Sequence, residues 1–155
     1  LTLPDHPDAY KRKIDLFEFI SKLPMTWDET KAINAEIGHL VTLARRHGKQ
    51  WFVASLADEK GRSFDLNLDF LTENQTYTVT LYEDAPETHY AFTGPSTKNE
   101  AKKNNLPFVP VKTKRELYSV RTISAKKGDT IKVKIAPGGG HCMWIRPANA
   151  SNIQQ

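Results

Sequence analysis

The sequence predicts a mainly β fold, an antiparallel β-sandwich of about seven strands preceded by one amphipathic N-terminal helix. Three observations carry that expectation. From Ile37 onward apolar residues recur every second position, the period of strands with one buried face. Short polar loops containing glycine separate the first of these runs, as antiparallel hairpins require. Ahead of them, apolar residues recur every three or four positions, the period of a helix with one buried stripe.

The helix comes first. Pro7 and Asp8 suit its start, and Tyr10, Ile14, Phe17, Ile20 and Leu23 form its apolar stripe. Pro24 stops it, because proline brings no N–H and clashes with the preceding turn. Four strands follow, at Leu40 to Arg45, Trp51 to Ala57, Phe64 to Phe70 and Tyr77 to Glu83. In the third, Phe64, Leu66, Leu68 and Phe70 point one way while Asp65, Asn67 and Asp69 point the other. Arg46-His47-Gly48-Lys49 and Asp58-Glu59-Lys60-Gly61 are the hairpin loops, and His39 falls within a strand. Trp51-Phe52-Val53-Ala54 is apolar on both faces, which places it centrally in a sheet.

From Asp84 to Arg115 the sequence holds Pro86, Pro95, Pro107 and Pro110 among many Lys and Asn, so irregular structure is expected, with Phe108 and Val109 pinning its end. Strands resume at Tyr118 to Ile123 and turn at Lys127-Gly128-Asp129. Ile131, Val133 and Ile135 then alternate with Lys132 and Lys134. Pro137-Gly138-Gly139-Gly140 bends the chain into a last short strand, Cys142 to Ile145. No internal repeat is visible.

At 155 residues, 39% apolar and 26% charged, the chain can bury a core and is not a disordered sequence. No apolar run approaches the ~18 residues of a membrane-spanning helix. A single cysteine, Cys142, excludes an internal disulfide framework and an all-cysteine metal site. The first residue is Leu1 with no leader-like segment after it, so a processed chain or an excised piece is expected. The net charge is +4, yet 11 of the 22 Lys/Arg lie between Lys98 and Lys134 against 3 Asp/Glu, so the basicity belongs to one segment. Only Phe108 and Tyr118 lie among these cations, too few rings for a nucleic-acid stacking surface.

Candidate chemistry reads mostly as structure. Asp28 and Glu29 are adjacent, whereas a glycosidase pair must flank a sugar from ~5–9.5 Å apart; a capping or docking role suits Asp28 and Thr30 better. His6, His39, His47, His89 and His141 show no metal-ligand spacing. His141 and Cys142 are strand neighbours and so face opposite ways, which excludes a base–nucleophile pair. No helix signal or Gly-Lys-Ser/Thr completes Gly138-Gly139-Gly140 as a phosphate loop. Asn74-Gln75-Thr76 and Asn149-Ala150-Ser151 fit the short N-glycosylation pattern. Trp27, Trp51, Trp144, Tyr77, Tyr82 and Tyr118 are expected mainly in the core; exposed instead, they would make the alternative, a carbohydrate-binding module. No catalytic, cofactor-binding or metal-ligating residue is assigned.

An ordered series of segments resembles a known family. It runs Leu23-Pro24-Met25-Thr26-Trp27-Asp28-Glu29-Thr30-Lys31, Ile37-Gly38, Val41-Thr42-Leu43-Ala44-Arg45-Arg46 and Trp51-Phe52-Val53. It continues with Leu66-Asn67-Leu68-Asp69-Phe70-Leu71, Tyr82-Glu83-Asp84 and Ile135-Ala136-Pro137-Gly138-Gly139-Gly140. Together these resemble the C-terminal part of glycoside hydrolase family 97, α-glucosidases and α-galactosidases of Bacteroides-like bacteria. Leu3-Pro4-Asp5-His6-Pro7-Asp8-Ala9-Tyr10 resembles the end of that family's catalytic barrel. The stretch from Pro86 to Lys127 is longer than the family pattern, and His141-Cys142-Met143-Trp144 is unusual after the glycines.

The resemblance implies a periplasmic or secreted enzyme in three parts: an N-terminal β-sandwich, a (β/α)8 barrel with catalytic glutamates and calcium, and a C-terminal β-sandwich. Residues 1–33 would be the barrel-end helix and linker, and residues 34–155 the C-terminal β-sandwich domain. The family's catalytic and calcium-binding positions have no match here, so the implied calcium belongs to the absent barrel. The implied partners are that upstream barrel and a homo-oligomer, with no nucleic acid and no membrane span. Tyr10, Phe17, Trp27, Asp28, Arg45 and Arg46 are the residues expected at a domain or subunit interface.

Overall fold

A computed structural model describes residues 7–11, 13–85, 88, 98–103 and 117–148. Among the described residues there are eight strands: β1 (Glu29–Glu36), β2 (Leu40–His47), β3 (Gln50–Ala57), β4 (Arg62–Asn67), β5 (Thr76–Asp84), β6 (Tyr118–Lys126), β7 (Thr130–Ile135) and β8 (Gly140–Pro147). Every pairing is antiparallel, in a six-stranded sheet of order β1-β2-β3-β8-β5-β6 and a two-stranded sheet β4-β7. Helices α1 (Pro7–Lys11) and α2 (Ile14–Ser21) precede them, and α3 (Lys98–Lys103) lies between β5 and β6.

The core fills the space between the two sheets. Ala44, Trp51, Val53, Tyr77, Val79, Leu81, Met143 and Ile145 of the large sheet meet Leu66, Ile131, Val133 and Ile135 of the small one, with Leu68 and Leu71 closing one end. Period two explains the choice: in β7 the exposure alternates residue by residue, with the isoleucines and valine in and the lysines out. On the opposite side of the large sheet, Phe19 of α2 sits against Phe52 and Tyr82, with ring centroids 6.2 and 5.0 Å apart. The domain is therefore three layers deep: small sheet, large sheet, helix.

Four features differ from the sequence expectation. An eighth strand, β1, begins at Glu29, inside the segment expected to be linker. It is an edge strand with an irregularity between Ala32 and Asn34, and only Ile33 of its side chains packs on the core, so its sequence carries little period-two signal. The third expected strand ends at Asn67, where the Asp69 N–H turns back to Asn67 Oδ1; Leu68 is still fully buried. His39 lies not in a strand but in the turn between β1 and β2, after Gly38 at φ +79°.

The expected N-terminal helix is α2, with the five-residue α1 ahead of it. Lys13 leaves the helical region at φ −135°, ψ 68°, between α1 and α2. Moreover, the buried residue of α2 is Phe19, which lies off the predicted stripe, while Ile14 is 56% exposed. At about 100° per residue, Phe17 lies roughly 200° and Ile14 roughly 140° around the axis from Phe19. The helix thus carries apolar side chains on two opposite sides, and only one of them faces this sheet. Phe108 and Val109 fall outside the described residues.

Candidate domain interface

α2 is pinned across the sheet at both ends. Near its start the Tyr118 hydroxyl donates to Asp15 Oδ1 at 2.7 Å, and the Lys13 ammonium lies 5.0 Å from the Tyr118 ring. Near its end the Lys22 ammonium lies 5.1 Å from the Trp144 ring, and the Arg146 guanidinium lies 3.8 Å from the same ring. The hydrogen bond to the Asp15 carboxylate holds the Tyr118 hydroxyl above its usual pKa, and burial beneath the helix does the same to Tyr82. These contacts fix which side of the helix is turned away from the sheet.

The six expected interface residues form three pairs. Tyr10 and Phe17 meet ring to ring at 5.6 Å. Trp27 stands edge-on to Phe52 at 5.5 Å, with the Arg45 guanidinium 5.6 Å from its ring. Asp28 Oδ2 accepts from the Gly48 N–H at 2.7 Å and from Arg46 Nη1 at 3.4 Å. Arg46 also donates to Glu29 Oε2 at 3.2 Å and to the Gly48 carbonyl at 3.0 Å. Asp28 and Arg46 therefore clamp the β2–β3 hairpin onto the start of β1, inside the domain. Hydrogen bonds from Lys31 and then Arg46 hold the Glu29 carboxyl below its usual range. Tyr10, Phe17, Trp27 and Arg45 lie on the outer side of the large sheet, around α2.

The same outer side carries apolar residues that the sequence expectation passed over. Cross-strand register aligns Ala35, Val41 and Leu56 in one rung and Ala32, Leu43 and Ala54 in the next, across β1, β2 and β3. Leu56 is 66% exposed and Val41 39%, and Ile37 in the adjoining turn is fully exposed. Beside them is an open groove of about 430 Å³, bordered by Ala35, Ile37, Val41, Leu56 and Ala57. The signal was present in the sequence: Leu40 to Leu43 is apolar in both phases apart from Thr42, as is Trp51 to Ala54.

The polar candidates resolve into structural roles. At the groove's rim His39 Nδ1 lies 2.8 Å from Asp58 Oδ2, which also accepts from Arg62 Nη2 at 2.9 Å; Arg62 Nη1 is 3.8 Å from Glu36. The hydrogen bond from His39, and then that from Arg62, draws the Asp58 carboxyl down to about 2. His141 faces the core and Cys142 the helix side, as strand alternation requires. Burial holds the His141 imidazole down to about 4 and pushes the Cys142 thiol up to about 11. Gly139 and Gly140 bring backbone against Asp84 and Ser55, so the glycines serve close chain approach.

Among the described residues no three His, Cys, Asp or Glu side chains group as metal ligands, and no helix is long and apolar enough to cross a membrane. Every described aromatic side chain is buried or half-buried, whereas a sugar platform needs exposed, coplanar rings. Arg121 of β6 pairs with Glu83 and Lys127 with Glu73, while Lys132 and Lys134 belong to the other sheet.

The architecture so defined is a two-sheet antiparallel β domain with a helix across the outer face of its large sheet. Its family follows from comparison with known proteins. Residues 26–146 match the family described as glycosyl-hydrolase 97 C-terminal, oligomerisation, and the chain belongs to that family. A retaining alpha-galactosidase of Bacteroides thetaiotaomicron is 27% identical over 144 residues, covering 93% of this chain and 18% of that protein. A glycoside hydrolase family 97 enzyme of Pseudoalteromonas sp., solved in complex with panose, superposes with a TM-score of 0.75 at 20% identity, over 94% of this chain and 20% of the other. A beta-arabinopyranosidase superposes with a TM-score of 0.63 at 21% identity, over 92% of this chain and 18% of the other. The chain thus spans about a fifth of the length of the relatives it matches.

Proposed function

We propose that this chain is the non-catalytic C-terminal domain of a family 97 α-glycosidase, an α-glucosidase or α-galactosidase, and that it braces the catalytic barrel and takes part in oligomerisation. The observation that carries the reading is α2, whose Phe19 side is sealed against the sheet while Ile14 and Phe17 on the opposite side are not. A helix apolar on two sides fits a position between two bodies. The family match and the alpha-galactosidase relative support the identity of the second body as a glycosidase barrel.

Under this reading Tyr10, Ile14, Phe17, Trp27 and Arg45 meet the barrel. Trp27 and Arg45 contribute an aromatic–guanidinium pair 5.6 Å apart, residue types enriched at protein interfaces. Catalytic glutamates and calcium belong to the barrel, and the enzyme works in the periplasm or outside the cell. The test is direct: the 155-residue chain is incubated with aryl α-glucosides and aryl α-galactosides, with and without calcium. No turnover is expected; calcium-dependent hydrolysis by this chain alone overturns the reading.

A further inference from the structure

We propose that the outer face of the large sheet, at its Trp27–Phe52–Trp144 end, docks an acidic segment of a protein partner whose carboxylates pair with Arg45 and Arg146. This deepens the proposed function, by giving the chemistry of the body that meets Trp27 and Arg45, and rests on it. The site is a row of three rings with cations along it. Trp27 lies 5.5 Å from Phe52, and Phe52 stacks on Trp144 at 6.4 Å. The Arg45 guanidinium lies 5.6 Å from the Trp27 ring and the Arg146 guanidinium 3.8 Å from the Trp144 ring, the first and last rings of the row. Lys22, just past the end of α2, lies 5.1 Å from Trp144 as well.

The cations of this row lack counter-charge. Arg46, Arg62 and Arg121 each pair with a carboxylate. Among the described residues Arg45 and Arg146 pair with none, and Lys22 has Glu18 at 3.9 Å. The strand rung beneath, Thr30-Arg45-Phe52-Trp144-Thr80-Thr122, crosses the whole large sheet without an acid. The next rung brings His47, Gln50, Arg146, Thr78 and Ser124. Asp28, ahead of β1, is taken up by the Gly48 N–H and by Arg46. Arg146 is also held in place: its Nη2 donates to Thr80 Oγ1 at 3.1 Å, which leaves Nη1 without a partner among the described residues. A guanidinium fixed beforehand loses less freedom when it binds.

This arrangement selects a chain that carries carboxylates. A guanidinium held beside a ring still presents its N–H fork, which matches a carboxylate through two parallel hydrogen bonds. By strand spacing the Arg45 and Arg146 backbones stand about 10 Å apart across the sheet and about 7 Å apart along it, so one segment with several Asp or Glu engages both. The three rings are buried or half-buried, so they offer no exposed platform on which bases or sugar rings could stack. Tryptophan and arginine are also the residue types that most often anchor protein interfaces.

Titration of the 155-residue chain with poly-L-glutamate, followed by tryptophan fluorescence and by the arginine Nε–H resonances, tests the proposal. Binding that weakens with added salt is expected. Arg45→Gln and Arg146→Gln are each expected to lower the affinity by about threefold or more. Arg45→Lys, which keeps the charge and loses the fork, should fall between wild type and Arg45→Gln. Lys132→Gln, on the small sheet, should leave binding unchanged. Thermal melting monitors the fold; Arg45 is exposed, so Arg45→Gln still decides the matter if Arg146→Gln lowers Tm. No binding at low salt, or binding that Lys132→Gln weakens as much as the two arginine variants do, overturns the site. Glucuronate or a thymidine oligonucleotide binding as tightly as poly-L-glutamate, with the same loss in both arginine variants, overturns the acidic polypeptide as occupant. The turnover assay judges the glycosidase-domain reading separately.

Discussion

Replacing His141 with leucine should make the domain resist mild acid. His141 is 3% exposed, lies opposite Ser55 and Glu83 in the register, and meets the Phe64 ring edge-on at 6.4 Å. Neither ring nitrogen reaches a hydrogen-bond partner among the described residues. Burial lowers its pKa from 6.5 to about 4, with the Glu83 charge opposing. The unfolded chain takes up its proton near pH 6.5 and the folded chain only near 4. Stability is therefore whole above pH 6.5, falls as the pH drops through that window, and levels off below 4. At 1.36 kcal/mol per pKa unit the loss is about 3 kcal/mol, a large share of a domain's typical stability. Urea unfolding from pH 7.5 to 4 measures it. The wild-type free energy should fall by about 3 kcal/mol more than that of His141→Leu. At pH 7.5 the variant should be as stable or more so, because leucine removes two buried groups that lack partners. Parallel decline of the two proteins across the window would refute the assignment of the acid sensitivity to this imidazole.

Two other perturbations have defined outcomes. Gly61 sits at φ +69°, and a Cβ there would lie 2.9 Å from the Ile135 carbonyl oxygen and 3.0 Å from the Pro137 nitrogen. Gly61→Ala should cost at least about 2 kcal/mol and lower Tm by roughly 4–8 °C. Gly38→Ala, at φ +79° with open space around it, bears only the backbone term of about 1 kcal/mol. Below the His141 window, Asp58 takes over. Its folded carboxyl titrates near 2, under its unfolded value, so its stabilising effect is complete above about pH 4 and lost as the pH falls towards 2. Asp58→Asn should flatten unfolding curves between pH 4 and 2; an unchanged acid limb would contradict the role of the His39–Asp58–Arg62 cluster.

Much of the fold was legible because the residues that build it speak locally. Ile131, Val133 and Ile135 alternate with Lys132 and Lys134, and the strand is where that pattern puts it. Trp51 to Ala54 is apolar in both phases, and β3 packs on both faces, Trp51 and Val53 inward and Phe52 under α2. What escaped was set by tertiary contact. β1 is held by its ladder to β2 and has little apolar periodicity of its own. Nothing within β4 or β7 announces that they leave the large sheet to pair with each other. The rotation of α2 about its axis was misjudged because the stripe Tyr10, Ile14, Phe17, Ile20 and Leu23 leaves out Phe19, the residue the sheet buries. Of the residues expected at an interface, Tyr10, Phe17, Trp27 and Arg45 lie on the outer side around α2, while Asp28 and Arg46 tie the β2–β3 hairpin to the start of β1. The Ile37-Val41-Leu56 patch was missed because aliphatic residues in a strand normally signal core.

The β5–β6 ladder runs unbroken from Thr76↔Lys126 to Asp84↔Tyr118, so the chain departs and re-enters at facing positions with residues 85–117 between them. The register holds without a shift up to the last pair, Asp84↔Tyr118. Loop closure grows only logarithmically, by about 0.6 kcal/mol for each doubling of length. A guest domain whose own termini lie close together therefore finds matched anchor points at Asp84 and Tyr118, beside the start of α2.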